Sequence, residues 1–166
     1  LLQMATGLRV SEARTLMWDD IITDDQNRPA CIIRAENAKT GTTRVAALVE
    51  PAVYEHLIRR RDEVGGAYVV GAPLNPDTEW DRYNAQKALK AFYKDLARDC
   101  GVPLLETYRT HVWRTTLNTM YRTDVDALLR ARTLGHSVDV NAQAYSDLSD
   151  LTTLYEAARA RRREEK

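Results

Sequence analysis

Apolar positions along this chain recur at two spacings, and the changes between them mark out its elements. The first residues form an apolar helical piece, after which Ser11 is placed to cap a short helix through Leu16, its hydroxyl meeting the free backbone donors of the first turn. Asp24-Asp25-Gln26-Asn27 is a turn by composition. Two strand-like runs follow, Cys31-Ile32-Ile33 and Val45-Ala46-Ala47-Leu48-Val49, on either side of Lys39-Thr40-Gly41-Thr42. They predict a hairpin with Lys39 near its tip.

Pro51 suits a first helical position, and Val53, Leu57 and Val64 predict one buried face before Gly65-Gly66 ends the helix. Ala67 to Val70 reads as a short strand. From about Thr78 to Cys100, Ala85, Leu89, Phe92 and Leu96 recur at the period of an amphipathic helix that stops at Gly101. His111 to Arg122 reads as a helix, Asp124 to about Arg132 as another that ends near Gly135, and Ser137 as the start of a short helix leading to Tyr145. Beyond it Leu148, Leu151, Leu154, Tyr155 and Ala158 fall at helical spacing. With no repeat, low-complexity stretch or linker, residues 1–166 read as one domain, mainly α with a small antiparallel β-hairpin sheet (α+β), and 148–166 as a C-terminal helical tail.

Composition changes this picture little. A chain of 166 residues is long enough for a core of its own. No apolar run approaches the length of a bilayer span and no secretory leader is visible, so the expectation is a soluble, cytoplasmic protein. The two cysteines, Cys31 and Cys100, lack any paired-thiol or zinc spacing and read as reduced structural thiols. Basic and acidic residues balance at 24 each, which excludes a domain that holds nucleic acid by bulk charge alone.

The residues with chemistry to offer fall in short, ordered pieces. Arg9 lies in Thr6-Gly7-Leu8-Arg9-Val10-Ser11-Glu12; Lys39 follows; then come His111-Val112-Trp113-Arg114, Gly135-His136 and, nine residues past that histidine, Tyr145. A lone H-x-x-R carries almost no information, and a single arginine is usually a solvated surface charge. Order, local context and the closing spacing are what make the set specific. Together they resemble the catalytic signature of the tyrosine recombinases, the phage integrase family, over the chain from Leu1 to about Tyr155.

That resemblance implies the integrase catalytic-domain fold and cleavage and rejoining of DNA through a 3′-phosphotyrosine, with no metal and no cofactor. Arg9 and Arg114 would neutralise charge growing on the phosphate, because a planar guanidinium fork holds two oxygens at once. Tyr145 would be the nucleophile. A phenol with an ordinary pKa near 10 needs help to lose its proton, and His111, three residues before Arg114 on one helix face, is the base expected. Lys39 would give a proton to the leaving 5′-oxygen, and His136 would hydrogen-bond the phosphate as charge builds. Glu12 matches a family carboxylate that orients the site, although an acid in a first helical turn also suits the helix dipole. His56, in the middle of the Pro51 helix, is left without a role.

Ala47 stands where the family commonly has proline, Trp113 where leucine is common and Thr115 where a second histidine often follows; none removes a catalytic group, and they mark a divergent member. By the same resemblance the partners are double-stranded DNA at attachment or recombination sites, three further copies in a homotetramer on two duplexes, a host DNA-bending protein and a directionality factor. The setting would be the nucleoid of a bacterial host cell, and the role integration or excision of a phage or mobile-element genome. A start at Leu1 so close to Arg9 reads as a fragment whose upstream DNA-clamping domain is absent, and the neutral charge then predicts weak DNA binding by this domain alone. The tail would dock either on its own domain or on a neighbouring protomer. Two rivals share parts of the signature: a type IB topoisomerase that nicks and reseals one duplex, and a non-enzymatic DNA-binding prophage remnant.

Overall fold

The sheet at the centre of the molecule shows why alternating small and branched residues occur where they do. In the computed structural model, which describes residues 1–108, 110–121, 123–135, 155–156 and 158–161, three antiparallel strands pair in the order β1 (Ile21–Thr23), β2 (Pro29–Ile33), β3 (Arg44–Ala47). The register sets Ile21 opposite Cys31, Ala30 opposite Ala47 and Ile33 opposite Arg44. Successive side chains point to opposite faces. Cys31, Ile33, Ala46 and Leu48 therefore pack with Leu2, Leu8, Leu16, Trp18, Val53 and Leu57, while Ala30, Ala47 and Val49 pack with Leu117, Tyr121, Val125 and Leu134. The sheet is buried on both faces, and the small residues let helices approach closely.

The helices supply those two layers. α1 (Leu2–Thr6), α2 (Val10–Arg14) and α3 (Pro51–Val64) serve the first core; α6 (His111–Met120) and α7 (Ala127–Leu134) serve the second. α4 (Arg82–Cys100) and α5 (Leu104–Tyr108) form a third small cluster through Tyr93, Ala97 and Leu105, against which Val112 and Trp113 of α6 lie. The fold is thus mainly α with small antiparallel sheets, as the residue pattern predicts. Among the described residues no helix is long and apolar enough to cross a membrane.

The elements differ from expectation at several points, each with a local cause. α2 begins at Val10 with Arg9, not Ser11, as its N-cap, because the Glu12 carboxylate reaches back to the Arg9 backbone N–H at 2.7 Å and fills the capping role itself. Ala67 to Val70 is not a strand; Tyr68 makes an isolated bridge to Met17, and the second sheet pairs β4 (Gly71–Ala72) with β5 (Asn75–Glu79). That hairpin takes Thr78 away from α4, which starts after Asp81, whose side chain accepts the Asn84 N–H. Phe92 is exposed and Tyr93 buried in its place, since the Tyr93 hydroxyl accepts the Trp113 indole N–H at 2.6 Å. Val64 is exposed at the end of α3. α6 stops at Met120, and α7 waits for Asp126, whose side chain accepts the N–H groups of Leu128 and Leu129.

Of the C-terminal tail, residues 155–156 and 158–161 are described, and in the single chain they lie on their own domain. The Tyr155 hydroxyl donates to the Leu48 carbonyl at 2.9 Å and to that of Pro29, its ring faces the Arg28 guanidinium, and Arg161 pairs with Asp124. The expected Ser137 helix and the apolar positions Leu148, Leu151 and Leu154 lie outside the described residues.

Candidate active site

A turn with no room for a side chain brings the first arginine into place. α1 ends at Gly7, which has φ +68°, and a Cβ there would come within 2.7 Å of Leu134 Cδ2. Glycine alone combines that left-handed backbone with that closeness. Leu8 is then buried in the first core, and Arg9 emerges at the start of α2 beside the end of α7.

Glu12 lies beneath, with its side chain wholly buried. Its Oε2 accepts the Arg9 backbone N–H at 2.7 Å, an Arg44 N–H at 2.7 Å and an Arg114 N–H at 3.3 Å, while Oε1 accepts from the Arg9 guanidinium at 3.0 Å. The same guanidiniums also close the C-terminal end of α7: Arg44 donates to the Thr133 carbonyl at 2.7 Å, Arg114 to that of Leu134, and Arg9 to that of Gly135 at 2.7 Å. Free carbonyls and the negative end of a helix dipole are a natural seat for cations. Each of the three arginines therefore bridges the same two partners, one carboxylate and one helix end.

Burial and charge compete in this cluster. Burial by itself pushes the Glu12 carboxyl up, but Arg44, the Arg9 N–H and Arg114 together outweigh it and hold the group below its ordinary value. For Arg44, burial dominates and pulls its pKa down against the attraction of Glu12. Burial first, then repulsion from Arg9, brings Arg114 down to about 10, so it is still a cation at neutral pH.

Above the cluster opens a polar cleft of about 770 Å³, lined among others by Arg9, Lys39, His111 and Arg114. Lys39 enters from the loop between β2 and β3, and His111 from the first turn of α6. Arg82, Gln86 and Lys90, at successive turns of α4, form part of the same wall. The structure thus brings four of the expected site residues to one cleft and sets Glu12 under two of them. His136 and Tyr145 lie outside the described residues. Trp113, the departure beside Arg114, turns to α4 and Tyr93 rather than to the cleft.

Sequence reasoning missed the part Arg44 plays in the cluster. The available signal was its place: a charged residue opening an otherwise apolar strand, and only 5% exposed once folded. His56, left without a role, is exposed on α3.

A cleft that presents the Arg9 and Arg114 guanidiniums, the Lys39 ammonium and the His111 imidazole suits a phosphate diester, whose anionic oxygens can take several charge-assisted hydrogen bonds. The model of the phage integrase family matches residues 1–151. The chain belongs to that family, and so to the DNA-binding tyrosine recombinases. Comparison with curated proteins and with solved structures gives no match.

Proposed function

We propose that this chain cleaves and rejoins DNA strands at specific sites through a covalent 3′-phosphotyrosine, integrating or excising a phage or mobile-element genome. The observation that carries the reading is the cleft shared by Arg9, Lys39, His111 and Arg114, which collects the charge and proton-transfer groups that this reaction needs. Tyr145 attacks the scissile phosphorus, and its proton passes to His111. The bond from phosphorus to the 5′-oxygen breaks, and Lys39 protonates that oxygen as it leaves. Arg9 and Arg114 hold the nonbridging oxygens, and His136 adds a hydrogen bond as their charge grows. The phosphotyrosine keeps the energy of the broken ester, so a second 5′-hydroxyl reverses the chemistry without a nucleotide cofactor.

In its full-length form the protein acts as a homotetramer on two duplexes, with a DNA-bending protein and a directionality factor as partners and an upstream domain clamping the other face of the DNA. It works on the nucleoid of a bacterial host. The test is incubation with a nicked suicide duplex carrying its recombination site, which traps the cleaved state. The expected result is a covalent adduct whose attached peptide contains Tyr145 and which disappears in Tyr145→Phe while DNA binding stays. An adduct mapped to Tyr121 or Tyr155, or none at all, refutes the proposal.

A further inference from the structure

Arg44 differs from the other two arginines of the cluster in one respect that assigns it a separate task. Arg9 and Arg114 line the cleft; Arg44 does not. It opens β3, at the base of the loop that carries Lys39, opposite Ile33. Its guanidinium spans the Glu12 carboxylate and the Thr133 carbonyl, 2.7 Å from each. A Cβ on Gly135 would collide with that guanidinium, so the turn that leads to His136 is shaped around Arg44 as well.

We propose that Arg44 is a positioning residue for strand cleavage: it locks the hairpin bearing Lys39 to Glu12 and to the end of α7, which hold Arg9, Arg114 and the Gly135 turn. This rests on the strand-cleavage reading above. Three elements distant in sequence must hold their groups in register to within a fraction of an ångström for proton donation and phosphate binding to coincide. Arg44 touches all three and cannot reach the substrate itself. An aliphatic residue would fill the position without burying a charge, and a buried ion pair is a poor source of net stability. What a flat fork adds is fixed direction toward two acceptors at once.

The test uses the full-length protein and the nicked suicide duplex, comparing the parent with Arg44→Met and Arg44→Lys. Adduct formation is followed against DNA concentration, with thermal melting as a check on folding. The expected result for Arg44→Met is a maximal rate lower by about 10²-fold, the cost of a misplaced reacting group, with half-saturating DNA unchanged. Arg44→Lys, which keeps the charge but not the fork, falls between.

Variants that cleave at the parent's rate overturn the proposal. So does a loss explained wholly by weaker DNA binding. Should Arg44→Met fail to fold, a folded Arg44→Lys with the parent's rate is sufficient to overturn it. Absence of adduct from the parent refutes strand cleavage, and the Arg44 role falls with it; adduct from the parent with unchanged variants refutes the Arg44 role alone.

Discussion

Glu12→Gln is an almost isosteric change, and the structure says where its cost comes from. The carboxylate accepts bonds from Arg9, Arg44 and Arg114, whose side chains are 19%, 6% and 7% exposed. Glutamine keeps one acceptor oxygen and turns an amide donor toward groups that are themselves donors. Arg9 and Arg114 border the cleft, but Arg44 does not and cannot reach water. Removing one partner of a buried ion pair costs about 3–5 kcal/mol, because the other charge stays behind without compensation. The bonds to the Thr133, Leu134 and Gly135 carbonyls survive the change, which favours the lower end, about 3 kcal/mol. For a domain of this size each kcal/mol moves the midpoint by about 2–4 °C, so a drop of roughly 6–12 °C is expected.

The pH dependence supplies a sharper check than the drop itself. Glu12 has its folded pKa held below the ordinary value of 4.5, so it binds its proton less readily folded than unfolded. Its contribution is fully present above that ordinary value and is lost as pH falls through the lower, folded one. Melting curves of parent and variant should therefore lie apart at neutral pH and converge in acid. A variant within about 2 °C of the parent at neutral pH would refute the reasoning, and so would a gap that persists unchanged into acid.

Replacing the bridging 5′-oxygen of the scissile phosphate by sulfur makes a leaving group that needs no proton, so cleavage by Lys39→Ala should recover on that DNA while Arg9→Ala recovers much less; equal rescue of both removes Lys39 as the acid. Tyr155→Ala should cost about 3–5 kcal/mol in denaturant unfolding, as for other large buried aromatics, because the residue is 5% exposed and its hydroxyl holds the Leu48 and Pro29 carbonyls. A loss confined to protomer association, with unchanged unfolding, would instead assign the tail to a neighbour. Lys90 lines the cleft from α4, and its replacement by alanine should lower the slope of log affinity against log salt by about 1; an unchanged slope places Lys90 off the DNA.

How far the chain could be read before folding depended on whether a residue's role was local. The β2–β3 hairpin followed from two apolar runs around a glycine-bearing loop, and the end of α7 from Gly135, which takes φ +66°. Ser11 lost the cap of α2 to Arg9 and Glu12 because that carboxylate is fixed by arginines from β3 and α6, which no local pattern reveals. Phe92 and Tyr93 are adjacent, and only the Trp113 indole, twenty residues on, decides which is buried. β5 contains Asn75, Pro76 and Asp77 and lacks any alternation of apolar and polar positions, so it left no mark. Arg9, Lys39, His111 and Arg114 were legible through their order and spacing. Arg44 was not, since a strand-opening arginine usually points to solvent and its partners lie 32 and 89 residues away.

The balance of charge over the whole chain conceals the arrangement that matters. A formal net charge of zero says little about a cleft in which Arg9, Lys39, Arg82, Lys90 and Arg114 face one opening. Among the described residues Glu36 is the one carboxylate residue in that lining, so positive charge predominates, and walls of predominantly one sign focus the local field even in a neutral protein. Such crowding has a cost: burial first, and then repulsion from Arg9 and Arg44, lowers the Arg114 pKa. Glu12 relieves that repulsion from below, on the side away from the opening, and the carbonyls of α7 do the same from the end of a helix. The guanidiniums are thereby fixed before any phosphate arrives, with free N–H groups left over, since each arginine carries five and two acceptors do not use them all. Donors already in place need no reorganisation when charge develops on a substrate. A buried acid in the middle of a cluster of arginines that borders this cleft is what allows several cations to be held there at once.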